Sequence, residues 1–144
     1  MKTIISTIIL SFILVGANAQ KMTSRQAQEQ KQELSNYIVL TQSVEQLEPI
    51  LMAATQLMKE DEKAFGDFQI VLYGKEVATL TDENIAEKYA KMFDEMEIRL
   101  MVCELSLKKY SNNSGKLSNY IKTVDNAFSY NLMLQKKGFL SLTL

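Results

Sequence analysis

Residues Ile98 to Tyr110, IRLMVCELSLKKY, constrain the fold more than any other stretch of the chain. The first half is apolar apart from Arg99 and too short to stand as a helix. A short continuous apolar run predicts a strand buried on both faces, the kind found in parallel sheets covered by helices. The second half, Leu105 to Tyr110, carries helix formers and two lysines and predicts a short helix. Cys103, the single cysteine of the chain, marks the junction. In open α/β sheets, ligands gather just outside the carboxyl ends of the strands. The one intrinsically nucleophilic side chain therefore falls where such a fold places its sites.

The flanking segments repeat this alternation. Tyr37 to Leu40 is a compact β-rich run and predicts the first strand. After the loop Thr41 to Ser43, apolar residues at Val44, Leu47, Leu51, Ala54 and Met58 follow a helical spacing to Lys59. Ser43 is a candidate cap. Pro49 fits poorly six residues into a helix, so the regular helix starts either after Ser43 or at Pro49. Charged residues from Glu60 to Gly66 end the element. Phe68 to Tyr73 predicts the second strand, closed by Gly74, and Val77 and Leu80 tie the connection Lys75 to Thr81 to the core. Thr81 or Asp82 caps a helix over Glu83 to Met96, with the stripe Ile85, Tyr89, Met92, Phe93 and Met96 and an i,i+4 pair Glu87–Lys91. Beyond the Cys103 strand, Ser111 to Gly115 is a loop containing the glycosylation triplet Asn112-Asn113-Ser114. Tyr120 to Val124 predicts a fourth strand. Asp125 or Asn126 caps a helix to Lys137, with Gly138 as its stop, and Phe139 to Thr143 predicts the last strand. Five strands alternating with helical segments predict a three-layer α/β/α domain with a mostly parallel, doubly wound, flavodoxin-like sheet.

The N-terminus predicts an address. Lys2 precedes an apolar run from Ile4 to Val15, and Ala17-Asn18-Ala19 offers a small-residue cleavage site. The run is about a dozen residues, against roughly 20 needed to span a bilayer. The expectation is a secretory signal over 1–19 cleaved after Ala19, a polar tail over 20–35 and one domain over 36–144. The mature protein would then be periplasmic or secreted and free of the membrane. Net charge is −1, and loss of Lys2 with residues 1–19 leaves −2. That balance argues against a nucleic-acid footprint, which needs a basic patch.

The sequence contains no histidine. That removes Ser-His-Asp and Cys-His arrangements and any His-based zinc or haem site. No cofactor and no metal site are expected. The methionines Met52, Met58, Met92, Met96, Met101 and Met133 read as core filler, and Asp94, Glu95 and Glu97 as a solvated helix end.

Three segments, in order, resemble the DsrE/DsrF-like family of sulfur-relay and related proteins. FQIVLYG, Phe68 to Gly74, is similar to the family's strand-plus-glycine, with Tyr73 where histidine is usual. VCELSLKK, Val102 to Lys109, is similar to its cysteine motif, with Cys103, Ser106, Leu107, Lys108 and Lys109 in place. Leu117 to Leu142 is similar to its ending, with Leu134, Gln135, Gly138 and Phe139 at the matching positions. The resemblance spans about Asn36 to Leu144. It implies a homo-oligomer, trimer or hexamer, and a cysteine, here Cys103, that takes sulfur as a persulfide from a donor and passes it to a partner protein.

A persulfide carrier needs an accessible thiolate, which nearby positive potential favours. Lys108 lies one turn into the helix after Cys103, and Glu104 opposes it if its carboxylate points inward. The other reading makes Cys103 a small core hydrophobe within a non-catalytic binding module. Ser43, Tyr73, Gly74 and Lys75, at the ends of the first two strands, are candidate lining residues of a pocket beside Cys103.

Overall fold

The computed structural model describes residues 33–111, 117 and 121–144. The predicted signal segment, residues 20–32 of the predicted tail, the triplet Asn112 to Ser114 and Tyr120 lie outside the described residues. No helix among the described residues is long and apolar enough to cross a membrane.

Five strands form one parallel sheet: β1 (Ser35–Thr41), β2 (Phe65–Leu72), β3 (Arg99–Cys103), β4 (Lys122–Val124) and β5 (Leu140–Thr143). Their order across the sheet is β4-β3-β2-β1-β5. Four α-helices connect them: α1 (Leu47–Asp61), α2 (Glu83–Asp94), α3 (Glu104–Tyr110) and α4 (Ala127–Gln135). The steps from β1 through β4 all run in one direction, so right-handed crossovers place their helices on one face. The last connection returns past the whole sheet to β5, which places α4 on the other face. The architecture is the expected three-layer α/β/α sheet. The winding reverses after β4, whereas the flavodoxin order 2-1-3-4-5 reverses after its second strand.

Because side chains alternate along a strand, each central strand feeds two cores. Val39, Ile70, Leu72, Leu100 and Val102 join α1, α2 and the 3-10 stretch Lys75–Thr81, including Leu47, Ile50, Val77, Leu80 and Phe93. Ile38, Leu40, Val71, Met101, Cys103 and Val124 face the other way and meet Ala127 and Leu134 of α4. The continuous apolar runs read from the sequence are therefore apolar because both faces are covered.

The boundaries differ from expectation in instructive ways. Ser43 does cap, but it caps a 3-10 turn, Val44–Gln46, accepting from the Glu45 N–H at 3.2 Å. The α-helix starts at Leu47, so Pro49 is its third residue, where the missing N–H has no partner to lose. β2 starts at Phe65 rather than Phe68, because Phe65 pairs with Ser35 at the start of β1. Asp82, not Thr81, caps α2, accepting from Asn84 and Ile85. α2 stops at Asp94, two residues before the expected end, and Glu97 takes a positive φ of 57° in the turn to β3. The pair Glu87–Lys91 forms at 2.8 Å. Asn126, not Asp125, caps α4, accepting from Phe128 at 2.9 Å. α4 ends at Gln135, before Lys136 and Lys137, and Gly138 turns the chain at φ 88°. The expectation that the methionines fill the core fails at two positions: Met52 is 73% exposed and Met133 is 53% exposed.

Candidate functional site

Doubly wound sheets open a crevice where neighbouring strands send their connections to opposite faces. Here that point lies between the carboxyl ends of β3 and β4. β3 continues into α3 on the first face, and β4 continues into α4 on the second. Cys103 is the last residue of β3 and pairs with Val124 of β4. The Leu105 N–H donates to the Asp125 carbonyl at 3.3 Å, joining the two connections over the crevice.

Cys103 is the N-cap residue of α3, in extended backbone geometry. It is a free thiol and only 4% exposed, at the floor of a cleft of about 300 Å³. The walls come from three connections. Gln42 follows β1, Tyr73 and Gly74 follow β2, and Asn126, Ala127 and Phe128 follow β4. Leu105, Ser106, Lys109 and Tyr110 of α3 complete it. Tyr73 and Phe128 meet edge to face, ring centroids 5.2 Å apart.

Burial pushes the Cys103 thiol up. Against it stand the Ser106 hydroxyl and the backbone N–H groups of Ala127, Ser106 and Leu105, the last of which also serves the Asp125 carbonyl. The donors prevail, and the thiol sits below its ordinary value. None of them makes a regular capping bond to the sulfur.

Ser106 is itself held in place. Its Oγ accepts from the Gly74 N–H at 3.0 Å, which leaves the hydroxyl hydrogen free to turn toward the sulfur. Gly74 has φ 82°, a conformation that favours glycine, and this aims its N–H at α3.

The sequence candidates divide between two adjoining clefts. Tyr73 and Gly74 line the Cys103 cleft. Ser43, Lys75 and Gly74 line a second, more polar cleft of about 430 Å³, with Gln46 and Glu76. Gln42, Gly74 and Tyr110 border both. The Glu76 carboxylate accepts from the Val44 N–H at 2.8 Å, which ties the two strand-end turns together. Lys108 lines neither cleft. Its ammonium pairs with Glu104 at 2.6 Å on the exposed side of α3, and Glu104 holds its pKa above the ordinary value. Glu104 is therefore spent on Lys108, and the lysine at the cleft is Lys109, whose Nζ lies 5.0 Å from the Tyr110 ring centroid.

Sequence reasoning passed over Phe128, Asn126 and Ala127 as site residues, since nothing local says that α4 starts beside β3. Ser106 did carry a signal, three residues after the cysteine at the N-terminus of a helix, where a side chain and an N–H both point back to the cap. No group of three or more His, Cys, Asp or Glu among the described residues is placed to hold a metal ion.

No family model matches the chain. No curated protein matches it. Among solved structures, the chain is similar to MTH1491 from Methanobacterium thermoautotrophicum, a protein of unknown function. The TM-score is 0.58 at 15% sequence identity, over 76% of this chain and 100% of that one. At that identity the likeness is one of fold alone, and it supports the five-stranded α/β architecture described above.

Proposed function

We propose that the protein is an exported sulfur carrier of DsrE/DsrF-like type acting through Cys103. The observation that carries this reading is the convergence of donors on one sulfur. The Ser106 hydroxyl and the N–H groups of Ser106 and Ala127 favour the thiolate of Cys103, which lines a cleft at the switch point of the sheet. A cysteine kept only for packing gains nothing from such donors, whereas a thiolate does. In the proposed step the Cys103 thiolate attacks the terminal sulfur of a donor persulfide, R–S–SH. The donor S–S bond breaks, R–S⁻ leaves, and Cys103–S–SH forms with its terminal proton retained. An acceptor thiolate then takes the same sulfur and restores the Cys103 thiolate, with no net oxidation. The donor and acceptor are taken to be partner proteins, and export rests on residues 1–19.

One observation favours a second reading, a non-catalytic binding module of the same fold. Cys103 is almost fully buried among Ile38, Leu40, Val71 and Met101. The pH dependence of Cys103 alkylation in the folded protein separates the two. The carrier requires labelling with a midpoint below the ordinary free-thiol value of about 8.5, and a mass gain of one sulfur at Cys103 after exposure to a persulfide donor. Labelling only on unfolding would make Cys103 a packing residue.

A further inference from the structure

We propose that the second cleft, at the rim of the sheet beyond the ends of β1 and β2, binds a free α-amino acid with an apolar side chain. The carboxylate of the ligand meets Lys75 and its ammonium meets Glu76. The inference does not depend on the reading of Cys103 as a carrier.

The cleft carries two opposite charges that do not neutralise each other. Lys75 and Glu76 both line it. They are neighbours in the sequence, yet no ion pair joins them, and Lys75 pairs with no acid among the described residues. One oxygen of the Glu76 carboxylate accepts from the Val44 N–H at 2.8 Å, and the other has no partner among the described residues. A carboxylate takes several donors, so this oxygen is open to an ammonium. Among the described residues no other charged side chain lines the cleft. Glu45, next to Ser43, is exposed and lines neither cleft, and Lys109 lines the adjoining one. A ligand with a single charge of either sign meets repulsion as well as attraction here, whereas a zwitterion matches both charges.

The neutral groups suit the same ligand. The Gln46 side-chain oxygen accepts from the hydroxyl of fully buried Thr41, which leaves the amide hydrogens of Gln46 to donate at the cleft. The Ser43 Oγ accepts from the Glu45 N–H and keeps its own hydrogen to donate. Both can join Lys75 around a carboxylate. The walls are already held in place, with the Ser43 N–H donating to Thr41 Oγ1 at 3.1 Å and the Gly74 N–H to Ser106 Oγ at 3.0 Å. Preformed walls lower the ordering cost of binding. The volume of about 430 Å³ falls within the roughly 300–1,000 Å³ of small-molecule sites.

The adjoining cleft selects the side chain. Gln42, Gly74 and Tyr110 border both clefts, so a side chain that passes Gly74 enters the first. There it meets Tyr73, Leu105 and Phe128, and the last two are 55% and 57% exposed. Covering that surface favours an apolar chain.

Chemical-shift mapping of the isotopically labelled protein with L-methionine and L-leucine tests this. Saturable shifts are expected at the amides of Ser43, Gly74 and Glu76. N-acetyl-L-methionine lacks the ammonium and L-methionine amide lacks the carboxylate. Each is expected to bind at least about tenfold more weakly than L-methionine, the loss of one charged contact. Lys75→Met and Glu76→Gln are expected to weaken L-methionine binding by a similar factor with little change in thermal unfolding, since Lys75 is exposed and glutamine still accepts from the Val44 N–H. If Glu76→Gln disturbs the turn, Lys75→Met decides alone. Cys103→Ala is expected to bind L-methionine as the unaltered protein does, which separates this site from the carrier reading. No saturable shifts, equal binding of the two derivatives, binding indifferent to Lys75→Met, or binding lost in a folded Cys103→Ala protein would each overturn the proposal.

Discussion

The two faces of the sheet are covered unequally. The first carries α1, α2 and the 3-10 stretch Lys75–Thr81, and its core includes fully buried Leu47, Leu72, Val77, Leu80 and Phe93. The second is covered by the nine residues of α4, which bury Ala127, Asn131 and Leu134 and leave Phe128, Leu132 and Met133 in solvent. The difference follows from topology, since among the described residues only the last crossover runs to that side. It teaches where function can sit. The thick face has little to spare beyond packing. The thin face holds Cys103, a polar chain in which Tyr130 donates to Gln69 at 2.7 Å and Gln69 donates to Asp67, and an uncovered apolar helix flank.

Substitutions rank the two faces. The largest effect is expected for Phe93→Ala, a full aromatic lost from the thick face, at about 3–5 kcal/mol in chemical denaturation. Leu134→Ala on the thin face is expected to cost less, about 2–3 kcal/mol, because α4 has solvent behind it and can settle into the gap. Equal losses would mean that the faces are mechanically alike and that the contrast is one of area only.

Asn126→Ala sharpens the comparison on a smaller scale. It removes the cap of α4, the only helix on the thin face among the described residues, and should cost about 1 kcal/mol. It should also loosen the Ala127 N–H at the sulfur, so alkylation of Cys103 should shift to higher pH. Asp82→Ala removes the equivalent cap of α2 at a similar cost in stability, yet should leave the alkylation profile where it was. A matching shift in both variants would detach the thiol from α4.

The smallest expected effect is a slope of stability against pH. The folded Cys103 thiol lies below its ordinary value. The folded state therefore releases its proton first as pH rises. Stability should climb as pH passes from the folded value up to the ordinary one, and this gain should be lost as pH falls back through the folded value. Cys103→Ala should flatten that part of the profile, and Ser106→Ala should reduce it. A profile identical in Cys103→Ala and the unaltered protein would show that the donors around the sulfur contribute nothing.

Much of the fold was legible because its signals are local. FQIVLY read as a strand and IRLMVC as a doubly buried one, since a parallel sheet with helices on both sides demands apolar residues at every position. Val77 and Leu80 were assigned to the core from their types alone and are fully buried. The place of Cys103, at the end of β3 and the start of α3, was fixed by the change from an apolar run to helix formers.

What surrounds Cys103 was not legible. Gly74 lies 29 residues before it and Ala127 lies 24 after it in the numbering. Periodicity within a segment says nothing about which strand lies beside which. The sequence determined that five strands and their helices would form a covered parallel sheet with a cysteine at one strand end, because burial and backbone preference act over a few residues. Tertiary structure alone decided that β4 closes beside β3, that the return to β5 leaves one helix to cover a whole face, and that Gly74, Ser106 and Ala127 meet around one sulfur. Strand order and crossover direction are set by long-range packing, and no local pattern records them.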